Sequence, residues 1–163
     1  MIAARRAQLS ITRERAVELN DSLASVSATP GVTCVLLVDS SGRILAQDGE
    51  PHDLDLVTFA TLAAAEFNAN EQLSRLVGDA GFRTLMHRGV RTCVDLEDVG
   101  NAAVLLTLFA TGTPAGLVRR AAARGAAACA DILRAMAESP AGAGPEGAAL
   151  AGAEEEIDRM FDS

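Results

Sequence analysis

Val32-Thr33-Cys34-Val35-Leu36-Leu37-Val38 is a nearly continuous apolar run, and Asp39-Ser40-Ser41-Gly42 follows it at once. A short run this apolar, rich in β-branched residues and closed by turn formers, reads as a strand buried on both faces. Asp-Ser-Ser-Gly is then a tight turn, and residues 43–47 return as the second strand of a hairpin. Ala102-Ala103-Val104-Leu105-Leu106-Thr107-Leu108-Phe109-Ala110 is a second run of the same kind. Two strands of this type need helices above and below one sheet.

The flanking segments supply those helices. From Arg13 onward, Ala16, Leu19, Leu23 and Val26 recur at helical spacing until Pro30-Gly31 stops the pattern. Before them, Gln8-Leu9-Ser10-Ile11 alternates like a short extended piece. Asp55 can cap a long helix that runs to Val77 and ends at Gly78. Its apolar stripe, Phe59, Leu62, Ala63, Leu73, Leu76 and Val77, is expected to face the core. Glu66 and Asn70 interrupt that stripe. They mark either a less buried centre of a bent helix or a polar contact to backbone or a second subunit. The opposite face carries Thr61, Ala65, Asn68 and Gln72, with Ala64 beside it. A purely solvated helix face carries more charge than this, so these residues predict a contact surface.

Three more strands follow, over residues 82–88, 91–96 and 102–110, with turns at Gly89 and at residues 98–101. In the first, Phe82 and Met86 are expected on one face and Leu85 on the other. It is expected to be an edge, and an open edge needs covering or pairing. Self-pairing through Phe82, Leu85 and Met86 would do this. Thr113-Pro114 reads as an N-cap with proline at the first helical position. The last helix then runs to residue 138 with Val118, Gly125, Cys129, Ile132, Leu133 and Met136 on one face. The fold class is therefore α/β of the α+β kind. It is a single five-stranded, mostly antiparallel sheet with helices on both faces, in the order α-β-β-α-β-β-β-α.

The 163 residues suit one domain with appendages. Residues 1–12 form an N-terminal arm, 13–138 the domain, 139–153 a Pro/Gly/Ala-rich tether and 154–163 an amphipathic helical end. In that end Ile157, Met160 and Phe161 share one helical face and the other face is acidic. Ten residues are too few for a stable isolated helix, so the segment is expected either to dock back on its own domain or to be disordered until it folds in a partner's groove. The tether spans about 20–23 Å on average. A net charge of −8, with aromatics at only 3% and no Trp or Tyr, argues against nucleic acid or an anionic membrane as partner. All 14 basic residues are arginine, a codon-usage effect more than chemistry. Cys34, Cys93 and Cys129 lie apart in apolar runs and read as core residues of a cytoplasmic protein.

No phosphate-binding glycine loop, nucleophile elbow or metal-ligand spacing occurs. His52 and His87 are isolated from any Cys cluster. Asp39 reads as a turn residue, and Asp53 and Asp55 as capping residues. Arg119 and Arg120 read as a solvated face. No catalytic residue, cofactor or metal is expected.

In this order of elements the chain resembles the Roadblock domain family, over residues 9–136. It is most similar to the bacterial MglB subfamily, regulators of the Ras-like GTPase MglA. The stretches that carry the resemblance are Leu36-Leu37-Val38-Asp39-Ser40-Ser41-Gly42, Thr61-Leu62-Ala63-Ala64 and Leu73-Ser74-Arg75-Leu76-Val77-Gly78-Asp79. Two more are Phe109-Ala110-Thr111-Gly112-Thr113-Pro114-Ala115-Gly116-Leu117-Val118-Arg119 and the end Glu155-Glu156-Ile157-Asp158-Arg159-Met160-Phe161.

The resemblance implies a homodimer whose sheets join and whose second helices together receive one MglA-type GTPase in its GTP form. On that basis Thr61, Ala64, Ala65, Asn68 and Gln72 are candidate GTPase-binding residues, with Ile157, Met160 and Phe161 as a second, tail-borne set. It implies stimulation of hydrolysis without an arginine finger, and a tail that bears on nucleotide exchange. Cell polarity and motility are the associated processes. Family members commonly carry Asn where Glu66 stands and small residues where Asn68 and Gln72 stand. A scaffold that binds a GTPase or another protein without stimulating hydrolysis is the alternative. A small-molecule sensor is a weaker third option that would need a pocket of convergent polar groups.

Overall fold

The computed structural model describes residues 11–139. The arm up to residue 10, most of the tether and the whole tail lie outside the described residues. The elements are α1 (Arg13–Ser27), β1 (Val32–Asp39), β2 (Ile44–Asp48), α2 (Leu56–Leu76), β3 (Thr84–Arg88), β4 (Thr92–Val99), β5 (Ala103–Ala110) and α3 (Ala115–Glu138). The five strands form one sheet in the order β2-β1-β5-β4-β3, and every neighbouring pair is antiparallel. This is the architecture expected from the two apolar runs. They became β1 and β5, which lie side by side near the middle of the sheet.

Alternation along the strands sorts the core into two layers. Val35 and Leu37 of β1, with Leu105 of β5, pack under Leu19, Leu23 and Val26 of α1 and Ala122, Cys129 and Leu133 of α3. Cys34, Leu36 and Val38, with Leu106 and Leu108, pack on the other side against Ala60, Ala63 and Ala64 of α2. The three cysteines are all buried and unbridged.

Local chemistry sets the ends of the elements. Thr12 caps α1 by accepting from Arg15 N, and Asp55 caps α2 by accepting from Thr58 N at 3.1 Å. The hairpin turn is tied by Asp39, whose carboxylate accepts from Ser41 N at 2.9 Å and Arg43 N at 3.0 Å. Partial burial pushes that carboxyl upward. The hydrogen bonds from Ser41 and Arg43, with the arginine charge, hold it below the usual range. Gly42 closes the turn at φ 91°, and a β-carbon there would stand 2.7 Å from Thr61 Cα, so the turn seats directly on α2.

Several details differ from the sequence reading. β4 runs on through Asp98 to Val99, because its partner β5 continues to Ala103 opposite it. The last helix starts one residue later, with Pro114 as N-cap and no side-chain cap from Thr113. Phe82 lies in a loop before β3, not in the strand, and Gly81 at φ 129° turns the chain there.

The larger correction concerns α2. Leu62, Leu73, Leu76 and Val77 were expected in the core but face outward, Leu76 being 84% exposed. The helix turns its small seam, Ala60, Ala63 and Ala64, to the sheet, flanked by Phe59 and Phe67. Alanines let the helix backbone come close, and the aromatic rings fill the sides.

One feature of the other layer opposes stability. Asp95 of β4 is fully buried, and neither carboxylate oxygen has a hydrogen-bond partner among the described residues. It faces Thr107 of β5, whose hydroxyl likewise has no partner among the described residues. Burial raises the Asp95 pKa, with Arg119 pulling the other way. Two residues along, Glu97 is raised to about 7, first by burial and then by the charge of Asp95. For an acid with a raised folded pKa, the native state holds more protons than the unfolded chain. The stability that Glu97 contributes is therefore fullest below pH 4.5 and is lost as pH rises to about 7. Urea unfolding at pH 5 and pH 8 should show this decline, and Glu97→Gln should flatten it. Asp95→Val should stabilise the protein by about 1–3 kcal/mol at pH 8. A destabilised Asp95→Val would mean that the carboxylate has an unseen partner.

Candidate functional site

The described residues carry no grouping of reactive side chains. No three His, Cys, Asp or Glu residues gather as a metal-ligand set among them, and no described helix is long and apolar enough to cross a membrane. What they present is surface. α2, 21 residues long, exposes two distinct flanks beside its buried seam.

One flank is apolar. Leu62, Leu73, Leu76 and Val77 stand in water, together with Val57 at the helix start. So many large apolar groups on one helix of a small domain mark an interaction surface. It adjoins β3, an edge strand that among the described residues is bonded only to β4, which leaves its outer row of backbone donors and acceptors open there. The two elements are clipped together by Glu66 of α2 and His87 of β3, whose Nε2 lies 2.8 Å from the Glu66 carboxylate. Glu66 thus reaches neither backbone nor a buried site. Asn70 is different, because its side-chain nitrogen is buried without a partner among the described residues.

The other flank is neutral. Thr61, Ala65 and Gln72 are exposed there. Two residues grouped with them in the sequence reading are placed differently. Ala64 is buried against the sheet, because it belongs to the alanine seam. Asn68 is half-buried, and its side-chain amide donates to the Ser40 carbonyl at 3.0 Å, tying α2 to the hairpin turn. Neither side chain is freely presented to a partner.

The candidate edge residues also separate. Leu85 packs toward the α2 layer, and Met86 toward Cys93, Phe109 and Val118 on the opposite layer. Phe82 and Met86 therefore do not share a face, because the loop carries Phe82 to the α2 side. Ile157, Met160 and Phe161 lie outside the described residues.

One feature was not foreseen from the sequence. A cavity of about 130 Å³ lies between the C-terminal half of α2, the loop at residues 79–83 and the β4–β5 turn. Its polar groups come from separate segments, so no single stretch of sequence announces it.

The chain compares with known proteins as follows. The profile of the Roadblock/LC7 domain matches residues 18–109. No curated protein matches the chain significantly. Among solved structures, an MglB with a tetrameric arrangement is similar at 28% identity and TM-score 0.74, covering 79% of this chain and 97% of that one. The gliding protein MglB of Thermus thermophilus is similar at 27% identity and TM-score 0.73, covering 78% of this chain and 97% of that one. MglB of Myxococcus xanthus shares the fold at TM-score 0.74 and 24% identity, covering 80% of this chain and 98% of that one. With a family profile spanning more than half its length and the strand order just described, this chain belongs to the Roadblock/LC7 domain family.

Proposed function

We propose that this protein is a non-catalytic regulator that binds a Ras-like small GTPase of the MglA type as a homodimer and stimulates its GTP hydrolysis. The observation that carries this reading is the exposed double surface of α2, in a chain similar to MglB proteins over nearly their whole length. Such a helix has one flank for a second copy and one flank for a different partner.

The apolar flank and the β3 edge serve the dimer. Antiparallel pairing of two β3 edges would extend the sheet and cover the open backbone groups. It would also bring Leu73 and Leu76 of both copies together. Light scattering at low micromolar concentration should give twice the monomer mass. Leu76→Glu should shift the protein to monomer without unfolding it, because this side chain makes almost no contact within its own chain. A monomeric parent protein would remove both the assembly and the binding mode.

The neutral flank, with Thr61, Ala65 and Gln72 outermost, serves the GTPase. Paired α2 helices of a dimer would present one continuous platform to a single GTPase in its GTP form. The tail, through Ile157, Met160 and Phe161, would take a second surface of that GTPase and bear on nucleotide exchange. The alternative is a scaffold that binds a GTPase without stimulating it. Gln72 favours that alternative, because its bulk stands where the family commonly has a small residue and would hold the GTPase further away. Hydrolysis assays with an MglA-type GTPase decide between the two readings.

A further inference from the structure

The cavity beside the neutral flank has the chemistry of a cation site. At 130 Å³ it offers about ten times the room that one water needs. Two aromatic rings, Phe67 and Phe82, three carboxylates, Glu71, Asp79 and Asp98, and two arginines, Arg75 and Arg83, line it, so the acids outnumber the bases by one. Glu71 is engaged by Arg75, at 2.7 Å. Asp98 is not comparably satisfied. Its side chain is only 8% exposed, and Oδ1 accepts from Asn101 N at 3.0 Å. Among the described residues Oδ2 accepts no hydrogen bond and has only an ion pair. The cation paired with it, Arg83 Nη1, stands at 3.8 Å on a side chain that is 77% exposed. That distance is too long for a hydrogen bond, and a guanidinium so largely in water is not fixed in place. A buried carboxylate is stable when charge-assisted hydrogen bonds fill its lone pairs. Asp79, on the loop at the cavity rim, has no ion pair among the described residues.

We propose that this cavity is a binding site for a guanidinium or alkylammonium group, which displaces Arg83 from Asp98. Its N–H donors would take Asp98 Oδ2 and Asp79, and the aromatic walls would favour a cation over a neutral group of the same shape. Such a group has two sources. It is either a basic side chain offered by a protein partner at the neutral flank, or a free small cation. The site goes beyond the GTPase reading, since a cation needs no GTPase to bind there.

The test uses the full chain, with N-methylguanidinium as probe and N-methylurea as its neutral counterpart, followed by backbone amide NMR. The cation should give saturable shifts at Gly81, Asp98 and Asn101, and the urea should give none. Asp98→Asn should weaken the probe by about tenfold or more, the loss expected for a charge-assisted hydrogen bond. Asp79→Asn, on an exposed loop that cannot unfold the domain, should weaken it severalfold. Arg83→Ala should strengthen it, because the competing cation is gone. Unsaturable shifts, or shifts that neither aspartate variant alters, would overturn the site. With a GTP-loaded MglA-type GTPase added, displacement of the GTPase by the probe assigns the site to a basic side chain of that partner. Simultaneous binding assigns it to a small cation. A failure of GTPase stimulation leaves the probe result standing, so the two readings fail separately.

Discussion

Gln72→Arg should abolish capture of the GTP-loaded GTPase while leaving the fold and the dimer intact. Gln72 is exposed on the neutral flank of α2 and is part of no described hydrogen bond, so its replacement removes nothing from the domain. At an interface the new guanidinium would be buried without a counter-charge. That costs about 3–5 kcal/mol, a loss of roughly 100-fold or more in affinity. A pull-down or calorimetric titration reads this directly. Asn68→Arg is a poorer probe, because it also breaks the bond that holds the Ser40 carbonyl at 3.0 Å. Unchanged affinity for Gln72→Arg would move the binding surface off this flank.

Gly125→Val should destabilise the domain strongly by overpacking the seam between α1 and α3. Gly125 is buried in α3 where α1 crosses it. A β-carbon there would run into Val26 Cγ2 and stand 3.5 Å from Leu105 Cδ2. Val26 is fully buried and β-branched, so it has little freedom to turn away. Overpacking of this kind costs about 3 kcal/mol. The melting temperature should fall by roughly 10 °C. Replacing glycine by a better helix former offsets only a few tenths of a kcal/mol of that. A Gly125→Val protein as stable as the parent would mean that α1 does not seat on α3 at this point.

How much of this could be read from the sequence differs by element, for physical reasons. β1 and β5 were legible because strands covered on both faces must be apolar throughout, and little else in a short run has that look. α1 and α3 were legible because each has a single buried stripe. α2 was misread at one decisive point. It is apolar on two sides, and the reading gave the core to the bulky side, Leu62, Leu73 and Leu76. The sheet takes the alanine seam because a close helix needs small residues. Once the leucines face out, the helix carries an exposed apolar flank in addition to the surface expected at Thr61, Ala64, Ala65, Asn68 and Gln72. The burial of Ala64 follows from the same rotation. The bond from Asn68 to Ser40 depends on where the hairpin turn lands, and no local pattern fixes that. The cavity was illegible because Phe67, Asp79, Phe82 and Asp98 meet only in three dimensions. The open edge at β3 was legible from the meander, although the faces of its side chains were not, since Gly81 redirects Phe82.

GTP hydrolysis is the decisive measurement. An MglA-type GTPase loaded with GTP should be followed through a single turnover, alone and with saturating amounts of this chain. The account predicts acceleration of about tenfold or more, with Arg75→Ala, Arg119→Ala and Arg120→Ala each costing far less than the ~10³–10⁵ that an arginine finger supplies. Arg75 is held by Glu71 at 2.7 Å, and its role is on the surface of α2. Tight binding with an unchanged hydrolysis rate would contradict the account and leave a scaffold in its place.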